Sequence, residues 1–118
     1  MRDHSELTLR KQNDFSRVYS RGESKGSKYV VVLYNRNKLG YTRVAFVASK
    51  KVGNSVARNR SRRLMRHAYM NIKERIAPGY DIVFVARNTI LSVKEEDVER
   101  AMFGAVRAAG LFNQDALH

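Results

Sequence analysis

The chain has no cysteine and no tryptophan, a single proline, and no acidic residue anywhere in residues 24–73. Without cysteine there are no disulfides and no thiolate metal sites, which fits a reducing compartment and makes the cytoplasm the expected location. Long hydrophobic runs are also missing. The longest covers residues 29–34, far short of the ~20 residues that cross a bilayer, and the N-terminus has no signal-peptide pattern. The basic segment lacks the exposed Trp, Phe and Leu face of an interfacial helix, so no membrane partner is expected. Three histidines stand at positions 4, 67 and 118, none at metal-ligand spacing, and there is no G-x-S-x-G or phosphate-loop pattern. The run Glu95-Glu96-Asp97 is explained by helix N-terminal charge. No protein active site is legible.

What the chain does have is localised positive charge. Of its 23 Lys and Arg, 13 fall in residues 24–73, opposite no acid, whereas the remainder carries 10 basic against 11 acidic residues. A field concentrated in this way suits a polyanion, because each neutralised phosphate releases condensed counterions. Its centre is Ala57-Arg58-Asn59-Arg60-Ser61-Arg62-Arg63-Leu64-Met65-Arg66, with five arginines on one predicted helix. A basic helical face is usually only a solvated surface. Solvated faces mix signs, however, and this one leaves its arginines uncompensated. Arginine, with its planar fork, also binds phosphate in a bidentate manner and stacks on bases. Nucleic acid is the implied partner.

At 118 residues the chain is expected to be one domain, residues 1–118, with flexible ends at 1–10 and 112–118. Asn13 is a candidate cap for a short helix, on which Phe15, Val18 and Tyr19 share one face and which Gly22 ends. Residues 22–28 read equally as a loop or a weak edge strand. Residues 29–34 and 43–48, with turn chemistry between, predict a hairpin. Alternation sets Val30, Val32 and Tyr34 on one sheet face, and Tyr29, Val31 and Leu33 on the other. One face must lie under helices, and the other is free to stack on unpaired bases.

Gly53-Asn54-Ser55 supplies a turn and a cap, at Asn54 or Ser55, for a helix running to about residue 75. Ala57, Leu64, Met65, Ala68, Tyr69, Ile72 and Ile76 form its apolar arc; Asn59, Arg60, Arg62, Arg63, Arg66, His67 and Lys73 form the opposite one. Residues 80–86 read as a strand buried on both faces, and Ser92-Val93-Lys94-Glu95 as a capping box before a last helix. The fold class is α+β: a small, mostly antiparallel sheet packed with helices in the order α-β-β-β-α-β-α.

The block Ser49-Lys50-Lys51-Val52-Gly53-Asn54-Ser55-Val56-Ala57-Arg58-Asn59-Arg60-Ser61-Arg62-Arg63-Leu64-Met65-Arg66 resembles the signature of the bacterial ribonuclease P protein subunit. The likeness extends to Asn13-Asp14-Phe15 through Gly22, the strand ending in Tyr34, and residues 82–87 with the Ser92 motif. It implies that the partners are the catalytic RNA of ribonuclease P and precursor tRNA, not DNA. It implies too that the holoenzyme removes the 5′ leader of precursor tRNA endonucleolytically, with Mg²⁺ bound mainly by the RNA and no catalytic residue or metal ligand in the protein. By the same resemblance, Arg58, Asn59, Arg60, Arg62, Arg63 and Arg66, with Lys50 and Lys51, contact the RNA subunit. Phe15, Tyr19, Tyr34 and Ser49 are implied to line a cleft for the single-stranded leader. Tyr19 stands where the family often has Phe, and Arg62 where Lys is common; stacking and charge survive. The family shares a left-handed strand-helix-strand crossover with one ribosomal protein domain, against the usual right-handed rule.

Among other classes, a non-catalytic ribosome-associated RNA-binding protein would show the same charge and fold. A DNA-binding helix-turn-helix module is disfavoured because a strand, not a helix, precedes the basic helix. A protein-only nuclease would need carboxylate clusters that the sequence lacks.

Overall fold

The computed structural model describes residues 8–113, with helix α1 Gln12–Arg21, strands β1 Glu23–Gly26, β2 Val30–Arg36 and β3 Arg43–Val47, helix α2 Ser55–Met70, strand β4 Tyr80–Ala86 and helix α3 Glu95–Ala108. The four strands form one mixed sheet in the order β1-β2-β4-β3. β1 pairs antiparallel with β2, β2 antiparallel with β4, and β3 parallel with β4. The α+β class and the element order are those expected.

The predicted hairpin is not formed, because β4 inserts between β2 and β3. Its Phe84 pairs with Val32 on one side and Phe46 on the other. The most continuously apolar strand takes the centre, where both faces are covered, and parallel β3 and β4 are joined by a helical crossover, as parallel neighbours must be. The ambiguous segment is the edge strand β1, hairpin partner of β2 and exposed throughout. An edge of Glu, Ser, Lys and Gly resists pairing with other chains.

Alternation separates two cores. On one face Val30, Val32, Ile82 and Phe84 pack with Met65 and Ala68 of α2, with Ile72 just beyond it, and with Val98, Met102 and Val106 of α3. On the other, Val83 and Ala45 pack with Val18 and Phe15 of α1 and with Leu9, flanked by half-buried Leu33, Val47 and Val85. α1 and α2 therefore lie on opposite faces of the sheet.

Several local readings need correction. Asn13 lies inside α1, whose cap position is Lys11. Gly22 does end α1, for a reason other than a left-handed turn: a Cβ there would sit 2.4 Å from the Val18 carbonyl oxygen and 2.6 Å from that of Tyr34. α2 ends at Met70, and residues Lys73–Arg75 form a separate 3-10 turn. Ser92 does not cap α3. Its hydroxyl donates to the Thr89 carbonyl inside a 3-10 turn, and the Asp97 carboxylate instead accepts from the Lys94 backbone N–H at 3.2 Å.

Two residues within the expected flexible ends, Leu9 and Phe112, are packed on the fold. Leu9 is buried and its N–H donates to the Val44 carbonyl, tying the chain to the outer edge of β3. Phe112 is buried against α3 and bridges to Ile76. The other residues of the expected flexible ends lie outside the described residues, apart from Thr8, Arg10 and Asn113.

Candidate nucleic-acid interface

The loop before α2 is built to present its helix. The Ser49 hydroxyl accepts from the Lys51 N–H, and the Ser49 carbonyl from the Val52 N–H, closing a turn with Lys50 and Lys51 exposed at its tip. Gly53 has φ +148°, and a Cβ there would press on that of Ala57 at 2.9 Å. Asn54 supplies the cap: its side-chain oxygen accepts from the Ala57 N–H at 2.9 Å. No acidic residue occupies the first turn, so the positive end of the helix dipole adds to the lysines.

Ser61, Met65 and Ala68 anchor α2 to the core, with Ser61 buried because its hydroxyl bonds back to the Ala57 carbonyl at 2.8 Å. The remaining surface is cationic. Arg58 donates to the Ser55 hydroxyl at 3.3 Å, Arg62 to Asn59 Oδ1 at 2.6 Å, and the Arg66 guanidinium lies 5.5 Å above the Phe46 ring. Arg60 and Arg63 flank a shallow depression that ends on His67, whose Nδ1 contacts the Glu95 carboxylate of α3. Among the described residues no carboxylate pairs with any of the five arginines, and no hydrogen bond engages the side chain of Arg60 or Arg63. The helix thus keeps its charge and most of its N–H donors available for an external anion.

Not every cation of the basic segment is free. Arg43 holds Asp81 through two bonds, at 2.8 and 2.9 Å, and reaches Asp14 at 3.2 Å; Asn37 adds a third bond to Asp81 at 2.9 Å. The Asp81 bond, against a smaller opposing effect of burial, raises the Arg43 pKa. The sequence reading counted Arg43 in the external field and missed this pairing. The signal available was Asp81 itself, an acid within a buried strand, which must find a partner.

The aromatic set is divided. Phe15 is half-buried on the α1 side of the sheet, and Tyr19 is 51% exposed one turn further on. Tyr34 faces the other way, 8% exposed, with its hydroxyl donating to Glu23 at 2.9 Å. Burial, then the bond to Glu23, raises its pKa. Phe15 and Tyr19 are brought together, Ser49 lies beyond the end of β3, and Tyr34 joins neither. Among the described residues no group of three or more His, Asp or Glu side chains gathers as a metal site, and no helix is long and apolar enough to cross a membrane.

The family model described as Ribonuclease P matches residues 4–110. The chain is 44% identical over 100 residues to the ribonuclease P protein component of Clostridioides difficile (strain 630), covering 84% of this chain and 88% of that protein. It is 38% identical to that of Alkaliphilus oremlandii (strain OhILAs), covering 89% and 92%. Among solved structures, it superposes on the Staphylococcus aureus RNase P protein with TM-score 0.82 at 29% identity (91% and 98% covered), and on that of Thermotoga maritima with TM-score 0.77 at 28% identity (86% and 96% covered). A helix whose five arginines have no carboxylate partner among the described residues, this sheet order and these matches agree, and the chain belongs to the ribonuclease P protein component family, as a subunit of that endoribonuclease.

Proposed function

We propose that the chain binds the catalytic RNA of ribonuclease P through α2 and the turn before it. We propose further that it meets the single-stranded 5′ leader of precursor tRNA on the α1 side of the sheet, promoting Mg²⁺-dependent removal of that leader in the cytoplasm. The observation that carries the first part is the α2 surface, where Arg60 and Arg63 have neither a carboxylate nor a hydrogen-bond partner among the described residues. Arg58, Asn59, Arg62 and Arg66 continue that surface, and Lys50 and Lys51 extend it. For the leader, exposed Tyr19 beside Phe15 offers a ring to an unpaired base, a contact worth ~1–3 kcal/mol. Ser49 is assigned with them; Tyr34 stands apart on the other face.

The Mg²⁺ of this family finds no donor set among the described residues. Asp14 and Asp81, the buried carboxylates, are held by Arg43. On this reading the RNA holds the metal, and this chain's part is to supply positive charge and position.

The test is cleavage of 5′-labelled precursor tRNA by a bacterial ribonuclease P RNA at low Mg²⁺, with and without the protein. Cleavage at the mature 5′ end only when both are present is the expected result. Tight RNA binding without stimulation would instead favour a non-catalytic, ribosome-associated role, and cleavage by protein alone would overturn the reading.

A further inference from the structure

Beside the basic face of α2 lies a groove of about 410 Å³ between that helix and the outer edge of β3, within the ~300–1,000 Å³ range of small-ligand sites. Val44 and Phe46 of β3 form one wall, Tyr69 and Met70 the other, and Arg66 and Lys73 stand at its rim. Among the described residues no acidic side chain lines it. Phe46 and Phe84 stack at 5.6 Å between ring centroids, Tyr69 meets both rings at 5.7 Å, and Arg66 covers the Phe46 ring. Met70 is 47% exposed, a large apolar side chain at the lip of a cationic surface. Val44 directs its carbonyl to the outer edge of β3, toward Leu9; by strand alternation Phe46 directs its N–H and carbonyl outward along the same edge.

An apolar slot walled by rings, rimmed by two cations and bordered by backbone donors and acceptors matches an unpaired nucleobase with its adjoining phosphates. Continuity decides the occupant. Arg66 belongs both to this groove and to the outer surface of α2 with Asn59, Arg62 and Arg63, so an RNA laid along those arginines passes the mouth of the groove. We propose that the groove between α2 and β3 receives one extruded, unpaired nucleobase of the RNA bound along α2. This rests on the reading of α2 as the RNA-binding helix, and adds base capture to phosphate neutralisation. The site lies on the sheet face opposite Phe15 and is separate from the leader contact assigned to α1.

The test uses the full chain with a bacterial ribonuclease P RNA. Met70→p-benzoylphenylalanine, photo-activated in the complex, is expected to capture one unpaired nucleotide. An abasic residue at that nucleotide, and separately Met70→Ser, should each weaken binding about tenfold with the salt slope unchanged, and the two together should cost little more than either alone. Capture of paired nucleotides only, capture of the chain's own residues 1–7, or additive losses would overturn the groove assignment. If the benzophenone variant binds the RNA with wild-type salt dependence and captures no nucleotide, the groove assignment falls while the α2 reading stands. If the wild-type protein does not bind the RNA, the α2 reading itself falls.

Discussion

Asp81 is 2% exposed in the central strand of the sheet, and what keeps it there is Arg43, which also reaches Asp14 of α1. Removing one partner of such a buried set strands the others' charge, so Arg43→Ala is expected to destabilise the fold by about 3 kcal/mol, read from the urea unfolding midpoint. The loss should exceed that of any single α2 arginine, since among the described residues none of those is paired with a carboxylate. Tyr69 offers a test with a sign. Burial pushes its hydroxyl from 10.0 up to about 12. The folded-state value is the higher one, so this contribution to stability is complete below pH 10 and is lost as pH rises through 10 toward 12. Tyr69→Phe should remove about 2–3 kcal/mol of the alkaline fall in stability, seen by comparing unfolding below and above that window.

Among the elements, α2 depends most on its entry. Asn54 satisfies the Ala57 N–H, and Asn54→Ala is expected to cost about 1 kcal/mol and to fray the first turn, reducing RNA affinity through Arg58 and Asn59 while sparing Arg66. Hydrogen exchange along α2, with stronger exchange confined to the first turn, checks this. The cap and the division of α2 into apolar and basic arcs were legible because local chemistry decides both. So was β4, whose apolar run required cover on two faces. The pairing of β2 with β4 was not, since the turn chemistry at 35–40 says nothing of a later, more apolar strand that competes for the same edge. For the same reason the faces of β2 were legible as alternation, but which face met α1 was not. The resemblance groups Tyr34 with Phe15, whereas the two stand on opposite faces of the sheet. Gly22 was placed correctly as a helix end, yet its cause, the close approach of the Tyr34 carbonyl, is a tertiary contact.

The sheet acts as a partition for the whole molecule. α2 carries the uncompensated charge on one side, and α1 presents Phe15 and Tyr19 on the other. If the five α2 arginines and the two lysines before them each met a phosphate, log affinity would fall against log salt with a slope of roughly −6. Arg60→Ala and Arg63→Ala should each flatten that slope by about one, and an unchanged slope in a salt titration would remove them from the interface. Tyr19→Ala should leave the slope and the affinity for the RNA subunit intact, while weakening binding of precursor tRNA relative to leaderless tRNA by about tenfold. Residues on separate faces with no shared partner contribute additively. The double variant Tyr19→Ala with Arg60→Ala should therefore lose the sum of the two free energies, one part dependent on the leader and the other on salt. A marked shortfall in a double-mutant cycle would mean that both side chains serve one continuous RNA surface wrapped around the edge of the sheet.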